Sequence, residues 1–260
     1  MTTTTISHTR QTFEVIYVMW LRQLKRYWRS RARMIGSLGQ PILFLVAFGF
    51  GFGSIYAKAG GGNYIDFLAP GIICMSVLFT AMFGGIELIW DRQFGFLKET
   101  LVAPISRLTI MIGRTLGGAT VAALQGVVIF LITLCIGFRP TNWWLLPIAL
   151  VGTLLIALIF TALGTAIASK LDDMQAFPIV MNFLIMPTFF LSGALFPLDG
   201  APKVLQWIAN INPLAYGVDL VRGSLTGAWH YGFGLSLLVL VLVTIASISL
   251  GSYLFTKIRL

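Results

Sequence analysis

Glu87 and Asp91 stand four residues apart, the spacing that puts two carboxylates on one face of a helix. They close a long apolar run, and a charge at such a place turns toward protein or toward water. Two readings are open: a solvated or locally paired helix end, or an electrostatic hinge that grips cations of the basic N-terminal segment. Asp219 and Arg222 lie one helical turn apart, so a second ion pair is open as well. Glu99, Asp172, Asp173 and Asp199 are scattered, mostly at the ends of apolar runs. Hydrolytic chemistry would need His, Asp, Glu or Ser clustered at one depth, and no such set is visible. The chain has no GxxxxGK[ST] phosphate loop, no HExxH, no GxSxG and no paired-cysteine motif. His8 and His230 are isolated, so no metal-ligand set is expected, and Cys74 and Cys135 read as buried free thiols in apolar runs. No catalytic residue is nominated.

Composition says where these charges must sit. Of 260 residues, 57% are hydrophobic and 10% are charged, with a mean hydropathy of +0.89. Soluble domains carry about 25% charged residues, so lipid must act as solvent for much of this surface. The net charge of +9 does not point to nucleic acid, because the basic residues gather at the ends of apolar runs. The first residues are polar, and the first apolar run follows a basic stretch with no small-residue cleavage site; it is expected to stay as an anchor.

Six runs approach the roughly 20 residues that a helical span needs: 35–56, 67–90, 112–138, 143–168, 176–196 and 231–255. They are continuously apolar rather than alternating, which favours helices over barrel strands. The expected fold is an all-α polytopic membrane protein with six transmembrane helices. Residues 1–34 form an N-terminal tail and residues 35–260 the transmembrane domain. Arg10, Arg22, Lys25, Arg26, Arg29, Arg31 and Arg33 precede the first run, and Arg92, Lys98, Arg107 and Arg114 follow the second. Lys170, Lys257 and Arg259 fall on the same side, against Lys58, Arg139, Lys203 and Arg222 on the other. The bias predicts cytoplasmic termini in a cell inner membrane, with Trp143 and Trp144 at the outer interface.

Within the tail, Phe13, Ile16, Tyr17, Trp20, Leu21, Leu24 and Trp28 recur at three- and four-residue steps. Arg22, Lys25, Arg26, Arg29 and Arg33 take the other side, which predicts an amphipathic helix lying on lipid headgroups. It serves either as a topogenic anchor or as a lever that also meets a cytoplasmic partner.

Between the second and third runs lies a charged island, DRQFGFLKETLVAPISR, residues 91–107, too polar to cross a bilayer. Phe94, Phe96, Leu97 and Leu101 offer apolar contacts, Lys98 and Glu99 flank them, and Gly95 and Pro104 punctuate the stretch. A short helix with exposed aromatics suits a groove on a partner, or else rests on lipid. Between the fifth and sixth runs, Pro197, Pro202 and Pro213 with Gly193, Gly200, Gly217 and Gly223 forbid one continuous helix. Two short helices dipping into the outer leaflet fit this pattern, as does an ordinary surface loop. Gly113 and Gly117 repeat the spacing that lets helix backbones approach, with intramolecular packing the favoured use. No charge lies within the six runs in a way that marks an ion-coupling path.

The island and its continuation, FGFLKETLVAPISRLTIMIGR, resemble the region after the second span of ABC-2-type permeases, the membrane subunits of ABC exporters. Glu99, Leu101, Ala103, Pro104, Ser106 and Arg107 carry that match. A second match runs over residues 191–225, at Ser192-Gly193, Phe196-Pro197, Asn212-Pro213 and Asp219 to Arg222. The order of these motifs in a six-run frame extends the resemblance over essentially the whole chain. It is nearest to the drug-resistance branch, while a long amphipathic N-terminal helix also occurs in the polysaccharide-exporting branch.

The resemblance implies that Phe94, Phe96, Leu97, Lys98, Glu99, Leu101, Pro104 and Arg107 form a coupling helix on a separate ATPase subunit. It implies that Ser192, Gly193, Pro197, Asn212, Pro213, Asp219 and Arg222 belong to a re-entrant outer gate. It further implies a second permease copy, identical or similar, and Mg-ATP bound by the ATPase, with no cofactor in this chain. The oily spans suit an apolar or amphipathic cargo such as a drug, lipid or lipid-linked glycan. The rival reading is a membrane scaffold or a lipid-modifying protein. Replacing Trp20 and Leu24 with Glu is expected to release the tail helix from the bilayer; unchanged protease protection of residues 13–28 would argue against interfacial seating.

Overall fold

The computed structural model describes residues 8–58, 63–96, 105–171 and 173–257. It is all-helical, with no strand among the described residues. Helix α1 spans His8–Arg29 and α2 Arg31–Lys58, with Ser30 the break between them. Helices α3 (Tyr64–Phe83) and α4 (Ile86–Gln93) share one long apolar stretch interrupted at Gly84 and Gly85. Then follow α5 (Arg107–Ile136), a 3-10 turn at Trp143–Leu145 leading into α6 (Leu146–Ala168), and α7 (Ala176–Phe190). Two short helices, α8 (Lys203–Ile211) and α9 (Pro213–Thr226), precede the final α10 (Phe233–Thr256).

Local sequence chemistry sets these boundaries. The Ser106 hydroxyl accepts from the Thr109 N–H at 3.1 Å and opens α5. Asn212 caps α9 by accepting from the Leu214 N–H at 3.0 Å, with Pro213 as the first helical residue, where its missing N–H costs no bond. Gly137 ends α5 at φ 116° and Gly227 ends α9 at φ 78°, both left-handed positions open to glycine. Pro147 and Pro178 fall in the first turns of α6 and α7, which explains why apolar runs containing them still form helices.

Five helical stretches are long and apolar enough to cross a membrane: Arg31–Gly53, Tyr64–Gln93, Arg107–Ile136, Trp143–Ala168 and Phe233–Thr256. The fifth of the six expected runs, 176–196, is helical only over the 15 residues Ala176–Phe190. At 1.5 Å per residue that is about 22 Å, short of the roughly 30 Å of hydrocarbon. Past Phe190 the chain turns through Gly193 at φ 74°, which an ongoing helix cannot accommodate.

Helix α3 is the centre of the bundle. Every residue from Leu68 to Leu78 is buried, as expected of a helix that is apolar all round and enclosed by α2, α5, α6, α7 and α9. Helices α2 and α10 lie at the rim and turn Leu43, Phe50, Leu238 and Ile245 outward. Such a surface is stable only where lipid meets it. Cys74 is buried on α3, whereas Cys135 is exposed near the end of α5, so only one of the two thiols expected inside is there. The reason is helical phase: both runs are apolar, but only α3 is enclosed on all sides.

Backbones touch where glycine removes the side chain. A methyl at Gly71 would stand 2.3 Å from the Ala194 carbonyl oxygen, and one at Gly85 would stand 2.4 Å from that of Gly164. Neither obstacle is a flexible side chain, so the helices would have to part. Gly71→Ala is expected to cost about 1–3 kcal/mol in thermal unfolding in detergent. Gly36→Ala, with nothing within 4 Å, is expected to leave the transition unchanged or raise it slightly.

Candidate functional site: a buried ion cluster at the base of the bundle

The break at Gly84–Gly85 lets α4 restart against α6, and this restart aims Glu87 and Asp91 into the protein. Both are buried, each 2% exposed. Cations reach them from three other helices. Arg22 Nη2 on α1 donates to Asp91 Oδ1 at 3.0 Å, and Arg26 bridges both acids at 3.0 Å to Asp91 and 3.3 Å to Glu87. Arg33 on α2 pairs with Glu87. Arg114 on α5, itself buried, donates to Asp91 Oδ2 at 2.6 Å. Rising residue number along α1 and α2 meets falling number along α4, so the two strands of charge run antiparallel.

Helix α1 is seated for this by α5. Methyls at Gly113 and Gly117 would both come within 2.7 Å of side-chain atoms of Met19 and Gln23, and both glycines also lie against the α1 backbone. Trp20 Nε1 donates to Thr120 Oγ1 at 3.0 Å, and the Tyr27 hydroxyl donates to Gln125 Oε1. The glycine pair thus serves intramolecular packing, and its occupant is the amphipathic tail helix. Trp20 corrects the sequence reading, which placed it with the lipid-facing residues. It is half-buried and bonded to α5, whereas Phe13, Tyr17 and Trp28 remain exposed. Leu24 is half-buried.

Burial opposes the charge of both tail arginines, with different results. At Arg22 burial prevails, aided by the nearby positive charges of Arg114 and Arg26, and its pKa falls below the ordinary value despite Asp91. At Arg26 burial is outweighed by hydrogen bonds and charge from Asp91 and Glu87, and the pKa rises. Arg26 is therefore the more firmly held of the two.

The residues of the island separate into two groups. Phe94 and Phe96 continue directly from α4 and are exposed, 71% and 52%. Arg107 opens α5 and donates to the Thr256 carbonyl at the end of α10, at 2.6 Å. Leu97, Lys98, Glu99, Leu101 and Pro104 lie outside the described residues.

At the other end, Asp219 and Arg222 share α9 but take separate partners. Asp219 accepts from the backbone N–H of His230 at 2.6 Å and of Tyr231 at 3.2 Å, and from Ser236 Oγ at 2.7 Å. It thereby ties the turn between α9 and α10. Arg222 donates to the carbonyls of Phe67, Gly193 and Ala194, with its guanidinium 3.9 Å from the Phe67 ring centre. The pairing open to them in sequence is not formed, because each is claimed by backbone groups from elsewhere. Ser192 Oγ bonds the Phe189 carbonyl, and Asn212 Nδ2 the Thr188 carbonyl, so both close the α7 end. Pro197 is exposed.

Arg114 is the residue that sequence reasoning undervalued, since it was counted only for orientation. A lone arginine seven residues inside an apolar helix was the available signal.

Long apolar helices, a fully enclosed α3 and outward-facing rims define a multi-pass membrane protein. The ABC-2 type transporter family model matches residues 14–226, and the chain belongs to that family. Nodulation protein J of Rhizobium leguminosarum bv. viciae is 31% identical over 198 residues, covering 75% of this chain and 76% of that protein. Its counterpart from R. leguminosarum bv. trifolii is 32% identical over 213 residues, covering 81% and 78%. The putative transport permease ycf38 of Pyropia yezoensis is 33% identical over 207 residues, covering 77% and 70%.

Removing Asp91 leaves Arg22 and Arg114 without a carboxylate, while removing Arg22 leaves Asp91 with two cations. Asp91→Asn is accordingly expected to cost about 3–5 kcal/mol in detergent unfolding, and Arg22→Gln under about 1 kcal/mol.

Proposed function

We propose that this chain is the transmembrane permease subunit of an ATP-driven ABC exporter. It works as a homodimer or beside a similar permease, in a cell inner membrane with both termini cytoplasmic. Helix α7 is its fifth span and α10 its sixth, α1 its interface helix, and α8 with α9 its re-entrant outer pair. The enclosure of α9 by α3, α6 and α10 supports that last assignment. Family membership supports partnership with a separate ATPase, which binds Mg-ATP and carries out hydrolysis.

One observation carries the coupling. Helix α4 leads straight into the exposed Phe94 and Phe96, and its carboxylates are ion-paired to α1, α2 and α5. A push by the ATPase on residues 94–107 is transmitted through Glu87 and Asp91 to three helices at once. The two acids are thus the hinge, and the ATP-bound, closed ATPase pair shifts the population toward an outward-open path. The charge-poor rims suit an apolar or amphipathic cargo, a drug, lipid or lipid-linked glycan.

Coexpression with an ABC ATPase tests the reading. ATPase activity is expected to copurify with the wild-type chain and to fall by about tenfold or more with Phe96→Ala and Glu99→Ala combined, consistent with loss of a central aromatic anchor. A chain that never binds an ATPase and alters lipid unaided would instead be a lipid-modifying protein.

A further inference from the structure

Beside the ion cluster lies a partly open cavity of about 470 Å³ lined by α1 to α6. Its lining combines charged, polar and apolar side chains. Arg33, Glu87 and Arg114 supply the charge, and Phe79, Phe83 and Pro41 form apolar wall. Along α2, Pro41 is eight residues beyond Arg33, about 12 Å at helical rise. The cavity thus offers charged and apolar surface within the length of a lipid headgroup and the first carbons of its chains.

Charge around it does not balance. Four guanidinium groups, of Arg22, Arg26, Arg33 and Arg114, meet two carboxylates. Two formal positive charges are left over; of the four guanidiniums, Arg33 and Arg114 line the cavity, and Arg114 is buried, where uncompensated charge is costly. Glu87 also lines the cavity, but both its oxygens are taken, by Arg26 and Arg33. Against Gly118, one turn from Arg114, Thr161 lines the cavity; its hydroxyl is buried and has no hydrogen-bond partner among the described residues. A dianionic or monoanionic group with oxygen acceptors would meet the excess charge and that hydroxyl together. An attached hydrocarbon would lie against Phe79 and Phe83.

We propose that this cavity binds the phosphate headgroup of an anionic membrane lipid, held by Arg33 and Arg114. Basic pockets between membrane helices on the cytoplasmic side recognise such headgroups. A free phosphate shares the head chemistry but leaves the apolar wall unused. Binding depends on this chain alone and not on any ATPase.

The test is native mass spectrometry of the full chain in mild detergent, with dioleoyl-phosphatidylglycerol or dioleoyl-phosphatidylcholine added at equal mole fraction, and inorganic phosphate as competitor. The anionic lipid is expected to give a single saturable adduct about thirtyfold tighter than the zwitterionic one, as about 1 kcal/mol for each of the two engaged arginines implies. Arg33→Gln should weaken it. Ser37→Phe on α2 and Thr165→Phe on α6 block the cavity from different walls while leaving all four arginines and both carboxylates in place. Each should abolish the adduct while its lipid-free melting temperature stays near that of the wild type, and either one, if folded, decides the matter. Equal binding of the two lipids overturns the proposal, as does an adduct that survives a folded blocking variant. Displacement by inorganic phosphate overturns the lipid assignment in favour of a soluble anion.

Discussion

Two buried carboxylates hold the base of this protein together. Glu87 and Asp91 are out of water, and their charge is tolerable only because guanidinium groups arrive from α1, α2 and α5. Helix α2 in particular is a rim helix with few enclosed residues and little else to fix its place. The ion cluster makes the positions of these helices interdependent. A surface pair of the same chemistry would add little; here the loss of a carboxylate strands buried Arg114, whereas the loss of one arginine is shared by the others.

The cluster in turn rests on close backbone approach. Without the bare glycines of α5, α1 could not come near enough for Arg22 and Arg26 to reach the acids, and without Gly85 against Gly164 the α4 segment could not restart beside α6. In lipid, apolar side chains gain little by leaving one hydrocarbon surface for another, so packing and polar contacts decide how helices associate. The bundle shows both devices at one level: glycine contacts to bring helices together and charges to fix their register.

The far end is organised differently. Asp219 and Arg222 are spent on backbone groups, tying the α9–α10 turn and the chain after α7. The base carries a network of side-chain ion pairs spread over four helices, while the opposite end is fastened by side chain to main chain. Ion pairs between helices can exchange partners without unfolding local structure, whereas caps of turns and carbonyls cannot. That contrast suits movement at the base and a shaped, stiffer end opposite.

Hydropathy alone dictated a helical chain in lipid, because no fold of 260 residues hides this much apolar surface from water, and charge bias with short motifs pointed to the family. The i, i+4 spacing of Glu87 and Asp91 also placed them on one face. Which cations met them could not be read in one dimension: Arg114 lies 23 residues from Asp91 and Arg22 lies 69 away, and only the bundle makes them neighbours. Trp20 looked lipid-facing because helical periodicity cannot distinguish a face turned to lipid from one turned to a glycine groove. An ion pair between Asp219 and Arg222 was open in the sequence because spacing shows who is near in sequence and not which distant carbonyl competes. Apolar pattern determined the solvent and the elements; tertiary packing decided the partners, because a buried charge is satisfied by whatever the fold brings within hydrogen-bond reach.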